Sequence, residues 1–348
     1  MKNKFLIGIV TFFVAIGFCI FFFNVTDSVT KKKYYFNRKF SNDSVLRFQK
    51  KNNKLNEGEY VMYVKSDSCL IERDKKQIDE SNVQYKFYFF DFDFSHNKIK
   101  EAILPTSSYL LFYTSNKMFY SIKFNLFTYD FKIKNSREIN INFFKVFNIK
   151  PLSNSKTKFL CLGEYLIDNK YVTGFYIVDI NSQNVNLVKE IQFSEKSMIL
   201  ENFLIYSGDF SSSFEGDDIA YFCDKFSKIY FFDNTGTYLK ELNTKENVPL
   251  PKILTNDKGD NFYSRGDTWS TNKAVYLNKK KVFVFSGRSE FETNIVIDEY
   301  SYETLKYDKS YLVNYNNYDS KSIGNVRIDK DNLIIAFNSD YASFKFLK

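Results

Sequence analysis

The sequence predicts an all-β fold, a β-propeller of six blades behind one N-terminal transmembrane or signal helix, and three observations carry that expectation. Ile219 to Leu242, IAYFCDKFSKIYFFDNTGTYLKEL, reads as three short strands joined by tight turns. Weaker copies of its centre recur: Asp91 closes FYFFD, Asp130 LFTYD, Asp179 FYIVD, Asp233 IYFFD and Asp298 NIVID, at spacings of 39, 49, 54 and 65 residues. Such spacings centre on what a four-stranded blade with variable loops occupies. Beyond the N-terminal run, no span shows helical periodicity for more than a few turns. Seven blades, or a pair of β-sandwiches, also fit spacings this irregular.

Within that unit, Ile219, Tyr221 and Cys223 alternate with Ala220 and Phe222, and Asp224 to Ser227 makes a polar break. Lys228 to Phe232 is β-branched and aromatic, as pleated packing favours. Asp233-Asn234-Thr235-Gly236 is turn chemistry: Asp and Asn bond their own backbone, and Gly accepts positive φ.

The chain opens on Met1 to Lys4, with two lysines, followed by an uncharged apolar run from Phe5 to Phe23. Nineteen residues come close to spanning a bilayer core of about 30 Å. No small-residue cleavage site follows, so an uncleaved signal anchor is expected, with a cleaved signal peptide as the alternative. Phe18 before Cys19 fits a lipidation signal badly. Residues 24–54 are a charged tether, with a strand expected at Lys33 to Phe40, and residues 55–348 are the propeller domain.

Strands are expected at Tyr60 to Lys65, Tyr85 to Asp93 and Ile99 to Leu104, then at Tyr109 to Thr114, Met118 to Phe124, Leu126 to Ile133 and Glu138 to Phe144. A third group is Thr157 to Leu162, Tyr165 to Ile167, Tyr171 to Ile180 and Val185 to Phe193. The fourth begins with Ile199 to Tyr206 and continues through the opening unit. The fifth takes Phe262 to Ser264, Ala274 to Leu277, Lys281 to Ser286, Asn294 to Asp298 and Leu305 to Val313. The last offers Gly324 to Ile328, Leu333 to Asn338 and Tyr341 to Leu347, so its fourth strand must come from the N-terminal end of the domain. That arrangement removes an exposed edge.

IYFFDNTGTYLKEL resembles the strand, turn and strand of NHL-type and TolB-like six-bladed propellers, closely over residues 219–242 and weakly at the other aspartates. The resemblance implies six blades and a loop face available for binding; it transfers no catalytic residue.

Composition narrows the function. The 49 basic and 41 acidic residues are interspersed and only seven are Arg, which argues against nucleic acid as a partner. Aromatic residues make up 19%, as an AT-rich genome would also produce. A single histidine, His96, in a predicted turn, leaves histidine-dependent catalysis nearly excluded. Cys69, Cys161 and Cys223 form no CxxC; buried thiols are expected at Cys161 and Cys223, with one disulfide through Cys69 as an alternative.

Two stretches carry candidate residues. TNDKGDNFYSRGDTWSTN, residues 255–272, holds Asp260, Arg265, Asp267 and the single tryptophan, Trp269, and is the expected ligand-binding loop. SGDFSSSFEGDD holds Asp209, Glu215, Asp217 and Asp218, carboxylates that could collect calcium although no EF-hand spacing is present. The expected function is a membrane-anchored binding module outside the cytoplasm, periplasmic or at the cell surface, recognising a protein, peptide or glycan. A secreted chain, or a metal-dependent propeller hydrolase or lyase, is the alternative.

Overall fold

The computed structural model describes residues 14–18, 36–52, 60–65, 68–91, 98–113, 116–212, 218–278, 280–288, 293–318, 320–329, 331–337 and 340–347. Two compact units divide at residue 37, and the second, Arg38–Lys348, contains every blade.

Strand β1 (Leu46–Asn52) is followed by blade 1, made of β2 (Tyr60–Lys65), β3 (Ser68–Gln77), β4 (Asn82–Asp91) and β5 (Lys98–Pro105). Blade 2 is β6 (Tyr109–Tyr113), β7 (Lys117–Ile122), β8 (Asn125–Asp130) and β9 (Asn135–Ile139). Blade 3 is β10 (Phe144–Pro151), β11 (Lys158–Ile167), β12 (Lys170–Asp179) and β13 (Val185–Ser194). Helix α1 (Ile199–Ile205) leads into blade 4, which is β14 (Gly208–Ser212), β15 (Asp218–Cys223), β16 (Lys228–Asp233) and β17 (Tyr238–Asn243). A two-stranded hairpin, β18 (Ile253–Thr255) and β19 (Asn261–Tyr263), precedes blade 5: β20 (Asn272–Asn278), β21 (Lys281–Ser286), β22 (Ile295–Ser301) and β23 (Tyr307–Val313). Blade 6 is β24 (Ile323–Asp329), β25 (Asn332–Phe337) and β26 (Tyr341–Phe346), and β1 pairs with β26 as its fourth strand.

The first strand of each blade touches the first strand of the next, and β2 touches β24, so the ring is closed. The chain is a six-bladed β-propeller. The expected N-terminal strand closes it, and that strand is Leu46–Asn52, inside the stretch read as tether.

Among the described residues, buried apolar side chains form a layer at each seam from blade 1 through to blade 6. Phe175 of blade 3 lies 4.7 Å from Phe232 and 5.0 Å from Tyr230 of blade 4, ring centre to ring centre. Tyr276 of blade 5 stacks on Phe346 of blade 6. Each such pair adds about 0.5–1.5 kcal/mol beyond the area it buries. Aromatic richness thus serves the seams between blades.

The repeated aspartates end the third strands of blades 1 to 4. Asp233 Oδ1 accepts the Thr235 and Thr237 amides at 2.9 Å each, Asp130 Oδ1 accepts the Lys132 amide at 2.8 Å, and Asp179 Oδ1 the Asn181 amide at 3.0 Å. Gly236 has φ 88° in the blade 4 turn, as its sequence predicted.

Several expectations need correction. Ile199 to Tyr206 is a helix, not a strand: Asn202 and Ile205 are buried three residues apart, a helical spacing, while Phe203 packs on aromatic rings of blades 2 and 3. The first strand of blade 4 is instead Gly208–Ser212, so Asp209 sits in a strand and not in a flexible loop. Strands β3 and β10 were missed because charged and asparagine residues interrupt their apolar alternation. Phe262 belongs to the hairpin β18–β19, not to blade 5. Over residues 36–40 of the strand expected at Lys33 to Phe40, only a single bridge forms, Phe40 with Ser310.

The apolar run Phe5 to Phe23 lies outside the described residues except for 14–18, which are helical with Val14 and Phe18 exposed. Among the described residues no helix is long and apolar enough to cross a membrane. Cys19, His96 and the Cys69 side chain also fall outside them. Cys161 and Cys223 are buried free thiols, and burial pushes both pKa values up.

Candidate functional site

Strand direction alternates within a blade, so the blade-to-blade connections and the turns between second and third strands emerge on one face. That face carries the two insertions a propeller does not need, α1 and the β18–β19 hairpin. Seven residues are too few for a helix to persist alone, and tertiary contacts hold it. The buried Glu164 carboxylate of β11 accepts Ser197 Oγ at 2.6 Å, the Met198 amide at 3.4 Å and Asn202 Nδ2 at 3.5 Å. Phe203 meets Tyr109 at 5.7 Å, Phe124 at 5.2 Å and Phe147 at 5.8 Å. Tyr263 of the hairpin donates to Leu204 O at 2.8 Å, so helix and hairpin form one cap.

Beside the cap lies the channel bounded by the first strands. Asp209 of β14 pairs with Arg327 of β24, two blades away, so the ion pair bars the channel. A cavity of about 70 Å³ surrounds this bar, lined by Leu111, Phe112, Ile149, Phe210 and Arg327 among others. It has room for a few waters. Next to it, Ser207 Oγ donates to Asp224, and the Lys225 amine stands 3.5 Å from Asp224 and 5.5 Å from the Tyr263 ring centre. Burial, and then the neighbouring Lys225, push the Lys273 amine below its ordinary pKa. Tyr109, Phe143, Leu200, Leu250 and Phe262 are exposed along the connections of this face.

The structure separates the residues singled out in the sequence. Asp209 is opposite Phe222, four residues along β15 from Asp218, a rise of about 13 Å. Asp218 pairs across the sheet with Asp233. Glu215 and Asp217 lie outside the described residues, and among those described no three His, Cys, Asp or Glu side chains converge as a metal-binding group. Asp260 is exposed at the hairpin tip, where Asn256 Nδ2 donates to it at 3.0 Å. Arg265 is exposed, and Asp267 accepts Ser264 Oγ at 3.3 Å. Trp269 is half-buried under the Arg288 guanidinium, 4.5 Å from the ring centre, a contact with blade 5 rather than with the hairpin tip.

Sequence reasoning missed Arg38, Arg327 and Glu246. Scarcity of arginine was the available signal. Arg38, Arg288 and Arg327 each sit in a specific contact, as a planar guanidinium favours over a flexible ammonium.

No family model matches the sequence, and no curated protein matches it. Similar solved structures include Hsv2 of Kluyveromyces lactis, at 10% identity and TM-score 0.38 over 78% of this chain and 84% of that one. The Myceliophteria thermophila Cps50 (Swd1) β-propeller domain shares 8% identity at TM-score 0.39, over 87% and 100%. A streptogramin B lyase structure shares 11% at TM-score 0.36, over 84% and 98%.

Proposed function

We propose that this chain is a membrane-anchored binding module exported from the cytoplasm, recognising a protein, peptide or glycan through the face that carries α1, the β18–β19 hairpin and residues 264–271. One observation carries the reading: both insertions lie on that face and present Leu200, Leu250 and Phe262 to solvent beside Asp260, Arg265 and Asp267. Apolar anchors rimmed by charge on a rigid scaffold suit recognition. The channel bar speaks for binding over catalysis, because the Asp209 carboxylate is held by Arg327. Anchoring rests on the apolar run Phe5 to Phe23, whose residues 14–18 are helical.

The test uses the full chain in detergent on peptide and glycan arrays. Leu200→Asp with Phe262→Ala, and separately Arg265→Glu with Trp269→Ala, are expected to lose whatever binding the parent shows. Unchanged binding in both double variants overturns the site. Carbonate extraction and external protease treatment of producing cells test the location; a chain that is extracted, or protected inside the cell, overturns the anchoring.

A further inference from the structure

Blade 5 holds a second constellation, built around its β21, β22 and β23 strands. Residues 38–41 lie against β23, the outer strand of that blade. Phe40 bridges Ser310 in parallel, Ser310 N donates to Lys39 O at 2.9 Å, and Ser41 N donates to Ser310 O at 2.9 Å. The Lys39 amide also donates to the Tyr307 hydroxyl at 2.9 Å. Among the described residues no other strand pairs with that edge of β23, so the contact is strand addition.

From that strap the Arg38 side chain, 1% exposed, plunges into a socket of two carboxylates. Its Nε and Nη2 reach Asp298 Oδ1 and Oδ2 at 2.9 and 3.1 Å, and Nη2 reaches Glu246 Oε1 at 2.6 Å. Ser286 Oγ donates to Glu246 at 2.8 Å, and Ser310 Oγ donates to Asp298 at 2.5 Å. Tyr307 and Ser310 share a hydrogen bond at 2.7 Å behind them. Every wall of the socket comes from the propeller body: Glu246 from the connection after blade 4, Ser286 from β21, Asp298 from β22 and Ser310 from β23. Only the peg comes from the N-terminal segment.

We infer that blade 5 carries a peptide-binding site for an extended, arginine-bearing segment, filled here by the chain's own residues 38–41. Backbone pairing to β23 supplies affinity without regard to sequence, and the bidentate fork of Asp298 with Glu246 beside it selects guanidinium over ammonium. The carboxylates outnumber the guanidinium two to one, so an emptied socket strongly prefers a cation. In support, burial pushes the Glu246 carboxyl up to about 7 although Arg38 pulls it down, and Asp298 adds to the rise.

Full-length Arg38→Ala, which removes the peg and leaves the socket, is titrated into a fluorescent peptide of residues 36–42, FNRKFSN, with anisotropy as the readout. Binding is expected, at least roughly tenfold tighter than for the peptide with glutamine replacing its arginine, and lost in Arg38→Ala with Asp298→Asn. The parent chain, its socket filled, is expected to bind far more weakly. A folded Arg38→Ala that ignores the peptide, or takes both peptides equally, overturns the inference. If Arg38→Ala fails to fold, Arg38→Lys keeps the charge but loses the fork. It should then exchange its strap for the peptide, and failure to do so overturns the inference equally.

Discussion

At the scale of single residues, buried charge decides more than exposed charge does. Glu246, with Arg38 and Asp298 facing it, has a folded pKa raised from 4.5 to about 7, chiefly by burial. A carboxyl whose folded pKa lies above its unfolded value holds its proton better when folded. Its contribution is therefore complete below about pH 4.5 and is lost as pH rises through about 7, on the order of 3 kcal/mol in all. Urea denaturation is expected to show stability falling between about pH 4.5 and 7, and Glu246→Gln to flatten that fall. An equal slope in Glu246→Gln would place its origin elsewhere.

At the scale of elements, α1 shows tertiary contact overriding local preference. Ile199 to Tyr206 contains two isoleucines and aromatic residues, which suit a strand, yet Glu164 collects donors at its start and Phe203 fills a space between Tyr109, Phe124 and Phe147. Phe203→Ala is expected to destabilise the protein by about 2 kcal/mol and to raise amide exchange over residues 199–207 before the blades respond. Exchange that stays unchanged there would mean the polar contacts of Glu164 and Tyr263 position the helix without the Phe203 ring. The turn between β7 and β8 is similar. Lys123 and Phe124 both have positive φ, at 47° and 65°, where Asn-Gly is preferred, and the Phe124 ring is held by Phe147 and Phe203.

At the scale of the whole molecule, closure depends on chain that precedes the blades in sequence. β1 pairs with β26 from Leu46 opposite Phe346 to Asn52 opposite Tyr341, and Val45 and Leu46 are buried. Burying those two side chains contributes roughly 3 kcal/mol or more, and the strand also covers the β26 edge. Because residues 38–41 lie on blade 5 and β1 on blade 6, one short stretch joins two blades. A chain lacking residues 1–52 is expected to lose its single cooperative thermal transition and to aggregate through the bared edge. A monomer that keeps a sharp transition would show that the ring closes without β1.

The sequence by itself determined the meander, the aspartate turns and the need for an N-terminal closing strand. Each rests on alternation or turn chemistry, which acts over a few residues. Asp130, Asp179 and Asp233 bond amides two residues ahead, so their role is written locally. Asp298 closes the same kind of run, but Arg38, 260 residues away, claims it, and Glu246 joins them across 208 residues. Nothing local distinguishes that aspartate from its relatives. Only the tertiary structure decided which carboxylates lie buried against a guanidinium, that Asp209 would face Arg327 across a channel, and that Ile199–Ile205 would coil. Burial and charge pairing join elements far apart in the chain, and they become defined only once the ring has closed.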